Sequence, residues 1–251
     1  MKIRVGVAQT ATKDFDFDAT LERFRGLVQE ASALGVQFLL FPEAFFGGYP
    51  KHTNFGAVVG LRGDQGRKDF AKYFNGAIAI PSPETDAIAQ VSKEFNVAIG
   101  TGVIEKEGST LYCSVLYVDP VQGIQLYTTP TVDARENWLH TVTHIAMESR
   151  CFVLSANQFA TTADYPAWHQ EIMKSEFKAA GNDLADDAEI IGGGSCIISP
   201  LGEVLAGPLR KKQGILSAEI DLDDLVGARF DLDATGHYSR SDVFSLSINS
   251  N

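Results

Sequence analysis

The stretch VQFLLFPE, residues 36 to 43, limits what this chain can fold into more than any other. Val36 to Phe41 is apolar apart from Gln37, which suits a short strand covered on both faces. Upstream, Leu21, Phe24, Leu27, Val28 and Ala31 recur at helical spacing between Phe17 and Leu34, and Gly35 supplies a stop. Ile3 to Thr10 reads as another strand. Strand, helix and buried strand in this order predict a layered α/β domain.

The rest of the chain continues the pattern and then breaks it. Residues 44 to 80 read as a long loop with a short helix near Gly66 to Tyr73. Ser82 is a helix cap, with Pro83 at the first turn and Glu84 and Asp86 near the N-terminus of a helix ending about Phe95. Val97 to Ile104 and Leu111 to Val118 follow as strands around the turn Glu107-Gly108-Ser109, giving β-α-β-α-β-β. A second run has a strand at Gly123 to Thr129, a helix at Arg135 to Arg150, and strands at Cys151 to Phe159 and Ser195 to Ser199. If the halves are related layers packed face to face, the second lacks its opening strand and helix, and the gap falls at residues 119 to 123.

A polar insertion at Thr161 to Glu189, carrying its own amphipathic helix, is expected to be mobile. A hairpin across Pro200-Leu201-Gly202-Glu203, a strand at Gly214 to Ile220, a short helix at Asp221 to Arg229 and a polar tail complete the order. No linker divides the 251 residues, so one domain over 1–251 is expected.

A formal charge of −11 argues against nucleic acid and anionic membranes as partners, because both require a Lys/Arg surplus. No segment approaches a membrane span. Three cysteines, Cys113, Cys151 and Cys196, are odd in number and lack framework spacing, which suits a reducing compartment. The start MKIRVGVAQTATKD lacks a long apolar core, so a cytoplasmic location is expected.

Chemistry is most concentrated in FLLFPEAFFGGYP, residues 38 to 50. Glu43 stands at the C-terminal end of the buried strand, where α/β sheets place ligands. Among Phe41, Phe45 and Phe46 its carboxyl is expected to have a raised pKa and to serve as a general base. The blander alternative is that it caps a backbone N–H or pairs with a lysine.

FPEAFFGGYP resembles the glutamate motif of the nitrilase branch of the carbon–nitrogen hydrolase superfamily. KHTNFGAVVGLRG, PTVDARENWLHTVTHIAMESRCFVLSANQF, GGGSCIISPLGEVLAGP and GHYSRSDVF resemble the same family in the same order, over nearly the whole chain. Phe46 stands where an aliphatic residue is more usual. The resemblance implies an α-β-β-α sandwich, a small-molecule nitrile substrate, no cofactor, and a Glu-Lys-Cys triad. In that scheme a thiolate attacks the nitrile carbon, glutamate acts as base and lysine stabilises charge, releasing carboxylate and ammonia.

Only Glu43 carries over. No lysine lies between Lys106 and Lys174, no Cys-Trp-Glu occurs, and the tryptophans are Trp138 and Trp168 alone. Between the counterparts of Asp119-Pro120 and Gly123-Ile124 the family has several dozen residues, and this chain has Val121 and Gln122. The missing piece holds the lysine, the nucleophile and a helix resembling part of a subunit interface, so normal homo-oligomerisation is in doubt. Two expectations follow: a nitrilase with impaired or lost activity, or an inactive family member serving assembly or interaction, including a splice or misassembled-gene variant. Exposed strand edges predict a stability below that of an intact relative.

The remaining candidates are weaker. Cys113 lies mid-strand, Cys151 follows Arg150, which would lower its pKa, and Cys196 follows three glycines; none aligns with the family nucleophile. His140, His144 and Glu148 share a helical face, but HTVTH lacks the glutamate of HExxH, so no metal is expected. Gly192-Gly193-Gly194 suits either an anion nest or a bend before a strand, and the bend is favoured. Lys211-Lys212 reads as a solvated charge pair.

Overall fold

The computed structural model describes the chain except residues 52, 54, 56, 59–60, 122, 129–135, 241, 246 and 248–251. For 57–58, 61–62, 123–128 and 136 the backbone alone is described. The first half runs β1 (Lys2–Gln9), α1 (Phe17–Ala33), β2 (Phe38–Leu40), the short pair β3 (Ala57–Val58) and β4 (Leu61–Arg62), then α2 (Asp64–Gly76) and α3 (Pro83–Phe95). β5 (Ala98–Glu107), β6 (Thr110–Asp119) and β7 (Gly123–Thr128) follow. After α4 (Glu136–Ser149) come β8 (Val153–Ser155), β9 (Phe159–Thr161), α5 (Ala167–Ala179) and β10 (Glu189–Ile198). β11 (Val204–Arg210), β12 (Gly214–Asp221) and α6 (Asp224–Ala228) complete the order.

Local chemistry sets the helix ends. Asp16 caps α1 by accepting from Ala19 N–H at 3.0 Å, and Gly35 closes it at φ +75°. Ser82 and Thr85 form a reciprocal capping box at the start of α3, with Pro83 at its first turn.

Alternation along the strands then sorts side chains into layers. One sheet has the order β12-β1-β2-β5-β6-β7, and the second has β11-β10-β8, with β9 also on β10. On the outer face of the first sheet, Ala8, Leu39, Ile99 and Leu116 pack against Phe24, Val28 and Ala31 of α1 and Ile88 and Val91 of α3. Val5 and Val7 turn the other way and meet Ile197 of β10 and Leu154 of β8. Cys196 and Ile198, on the far face of β10, pack under Val142 and Ala146 of α4. Helices, sheet, sheet and helix make the expected α-β-β-α sandwich, with a second sheet shorter than the first.

Several details differ from the sequence reading. Cys151 to Phe159 is not one strand but β8 and β9, separated where Asn157 N–H bonds Ser195 Oγ at 2.9 Å. β7 joins the first sheet through a hairpin with β6, in register from Asp119↔Gly123 to Ser114↔Thr128, so among the described residues the second layer begins at α4. Asp119 Oδ1 accepts Val121 N–H at 2.8 Å across that turn. The expected strand end at Thr129 and helix start at Arg135 lie outside the described residues, as does Gln122. The insertion at 161–189 is docked rather than loose: His169 and Met173 of α5 are fully buried, and Met173 joins a cluster with Ala11, Ala160 and Tyr165.

Candidate functional site

The segment after β2 continues alongside β5 instead of leaving the sheet. Gly102 N–H donates to Pro42 O at 3.1 Å, Phe46 N–H to Gly102 O at 3.1 Å, and Ile104 N–H to Phe46 O at 2.8 Å. Phe41, Phe45 and Phe46 anchor the segment in the core. Ala44 sits at φ +49°, an uncommon conformation for a residue with a side chain, immediately after Glu43. Gly102 makes the close approach possible: a Cβ there would lie 2.5 Å from Ala44 N and 2.6 Å from Pro42 O. Gln158 Nε2 donates to Glu43 O at 2.9 Å and ties the segment to the second layer.

With no side chain on Gly102 to hold the 42–44 backbone off, Glu43 lies close enough to β5 for its carboxylate to reach β6. Cys113, opposite Ile104 in the β5–β6 register, donates its S–H to Glu43 Oε1 at 3.1 Å. This contact, and neither a backbone cap nor a lysine, is the side-chain hydrogen bond Glu43 makes among the described residues. Burial raises the Glu43 carboxyl above its ordinary value, as expected, and the Cys113 hydrogen bond partly opposes the shift. The thiol is pushed up to about 12, first by burial of the sulfur and then by the adjoining carboxylate, although Cys113 as a residue is exposed. Tyr73 stands close enough for Cys113, Tyr49 and Glu43 to add to the burial that raises its phenol to about 12.

The sequence reading set Cys113 aside, and only the pairing of distant segments brings it to Glu43. The β5–β6 turn fixes its position opposite Ile104, but nothing local shows that the Glu43 segment lies across the strand between.

The other cysteines are placed differently. Cys196 is fully buried, with its thiol pushed up to about 11 by burial. Cys151 is half-buried, and burial raises its pKa, the opposite of the lowering expected from Arg150. His144 Nε2 lies 3.4 Å from Glu148 on an exposed face of α4. No group of three His, Cys, Asp or Glu that could hold a metal occurs among the described residues. The glycine nest is filled from within: Gln9 Oε1 accepts Gly194 N–H at 2.9 Å and Ser195 N–H at 3.0 Å, and Gln9 Nε2 donates to Lys212 O at 2.7 Å. No anion is needed there.

A second polar cluster, without a sequence signal, supports the loop that follows Glu43. His169 Nδ1 lies 2.9 Å from Asp14 Oδ2, and its Nε2 lies 2.6 Å from Lys51 O. Trp168 stacks on His169 and on Phe15, whose ring meets Tyr73 edge-on. Beside it a hollow of about 390 Å³ is lined by Asp14, Phe15, Lys72, Asn75, Gly76 and Trp168. Glu43 does not line it, and Lys72 is held by Asp69 at 3.2 Å.

A carbon–nitrogen hydrolase family model matches residues 4–128 and 121–230. An arylacetonitrilase of Trametes versicolor is 40% identical over 317 aligned residues, covering 98% of this chain and 96% of that protein. An aliphatic nitrilase of Sinorhizobium fredii is 38% identical, covering 98% and 96%. Among solved structures, a CN-hydrolase superfamily protein of Xanthomonas campestris superposes with a TM-score of 0.67 at 13% identity, over 98% of this chain and 100% of that one, a likeness of fold. No helix among the described residues is long and apolar enough to cross a membrane.

Proposed function

The chain belongs to the nitrilase branch of the carbon–nitrogen hydrolase superfamily, and from that premise we propose that its conversion of small nitriles to carboxylate and ammonia is impaired or lost. One observation carries this reading: Glu43 faces a weakly acidic thiol on β6, with no lysine paired to it among the described residues. Glu43 is the general base that remains of the family triad. The ligand class, a small nitrile, follows from relatives named for arylacetonitriles and aliphatic nitriles.

Two features favour a missing internal segment as the cause. The 317 aligned positions exceed the chain's 251 residues, so parts of the relative have no counterpart here. The two family matches overlap at 121–128, from within the β6–β7 turn to the end of β7. The free thiols Cys113, Cys151 and Cys196 support a reducing, cytoplasmic setting. The test is ammonia release from phenylacetonitrile and from an aliphatic nitrile. Loss of a nucleophile from a comparable triad costs about 10⁶ in kcat, so release should not exceed the protein-free blank. Sustained release above it would contradict the reading.

A second reading, an assembly or interaction role, is favoured by exposed apolar side chains near the end of the described chain. Val226, Phe230, Val243 and Phe244 are all exposed. Light scattering distinguishes it, since a monomer at micromolar concentration argues against self-assembly.

A further inference from the structure

Among the described residues, Cys113 is the one thiol that the fold brings to a carboxylate base. Cys196 is sealed beneath α4, and Cys151 has no carboxylate partner among the described residues, whereas Cys113 is exposed and donates to Glu43 at 3.1 Å. A nucleophile and base within hydrogen-bond reach form the minimal arrangement for covalent addition. The Glu43 carboxylate accepts from this thiol, and burial raises its proton affinity, which suits it to take the proton.

We propose that Glu43 and Cys113 form a substitute base–nucleophile pair that captures small electron-poor nitriles as a covalent thioimidate without turning them over. The proposal rests on the reading that nitriles are the ligands of this site. In the step, Cys113 Sγ forms a bond to the nitrile carbon while one π bond of C≡N breaks. The S–H proton passes to Glu43 and from there to the nitrile nitrogen, leaving R–C(=NH)–S–Cys113 and a regenerated carboxylate. The nitrile is added whole, and no oxidant, reductant or other reactant is consumed.

The high thiol pKa fits this route rather than opposing it. Free thiolate is scarce at neutral pH, so reaction depends on proton removal during attack, as a serine hydroxyl depends on its histidine. Once the thioimidate forms, water must add and ammonia must leave, which builds charge at the reacting carbon. No lysine pairs with Glu43 among the described residues, and none occurs in the sequence between Lys106 and Lys174, so that charge goes unstabilised and the adduct accumulates.

The full chain incubated with 2-cyanopyridine and weighed by intact-mass spectrometry tests this. The expected result is a gain of one nitrile mass per chain, mapped to Cys113 and absent in Cys113→Ser. In Glu43→Gln, addition should slow about 10²-fold, the usual contribution of a general base. Alkylation of Cys113 by iodoacetamide, which needs only thiolate, should instead speed up, because the adjoining charge is gone. Glu43→Asp, which keeps a carboxylate, should add the nitrile faster than Glu43→Gln, and circular dichroism establishes that each variant is folded. No adduct, an adduct on Cys151, or equal nitrile rates in wild type and Glu43→Gln would each overturn the pair. Ammonia measured in the same samples separates the two ideas. Continuous release contradicts the lost-turnover reading, whereas a missing adduct without ammonia contradicts the pair alone.

Discussion

Replacing His169 by alanine tests how the Glu43 loop is supported. The histidine is fully buried and the Asp14 side chain is 2% exposed, so the change leaves a carboxylate without its partner in the interior and removes the contact between His169 Nε2 and Lys51 O. Breaking such a pair from one side costs about 3–5 kcal/mol. At roughly 2–4 °C per kcal/mol for a domain of this size, Tm should fall by about 10 °C. The pH dependence has a definite sign. Burial raises the Asp14 carboxyl above its ordinary value, and the His169 hydrogen bond opposes the rise, so without His169 the rise is larger. A carboxyl whose folded pKa is raised contributes stability that is present below its unfolded pKa and lost as pH rises through the folded one. The deficit of the variant should therefore be full at pH 7 to 8 and shrink toward pH 4. Calorimetry across that range, with Asp14→Asn added to the variant, is the assay. A fall of less than about 2 °C, a deficit that grows on acidification, or a double variant less stable than His169→Ala would refute the reasoning.

Other outcomes follow from the same geometry. Gly102→Ala places a methyl against backbone atoms of Pro42 and Ala44, so it should cost about 1–3 kcal/mol and, by displacing Glu43, speed iodoacetamide alkylation of Cys113. Gln9→Ala leaves the buried N–H groups of Gly194 and Ser195 without their acceptor and should lower stability by about 2–5 kcal/mol in a denaturant melt. With its thiol near 12, Cys113 in the wild type should alkylate about tenfold faster for each unit of pH up to the highest pH the fold tolerates, while sealed Cys196 stays unlabelled until unfolding. The short second sheet should make the chain melt below its longer relatives, and equal melting temperatures would contradict that.

Much of the fold was legible because it is written in short-range periodicity. The spacing of Phe24, Val28 and Ala31 marks the buried face of α1, Ser82-Pro83 marks the start of α3, and the apolar run into Pro42 marks β2, with Glu43 at its end. Each is set by residues within a turn or two of one another, where the backbone's own geometry decides. The contacts that give the site its character follow no such rule. Asp14 and His169 are 155 residues apart, Gln9 and Gly194 are 185 apart, and Glu43 and Cys113 are 70 apart. Cys113 had every mark of an ordinary strand cysteine, and Gly192-Gly193-Gly194 read as either a nest or a bend.

By itself, then, the sequence determined the layered α/β class, the family, and a carboxylate at the mouth of the first sheet. Only the tertiary structure decided what that carboxylate faces. A pattern of apolar residues specifies which side chains turn inward, because burial is favourable wherever it occurs. Which inward groups meet depends on where one segment crosses another. Here the crossing is set by the absence of a side chain at Gly102, which lets Glu43 reach a thiol on the next strand.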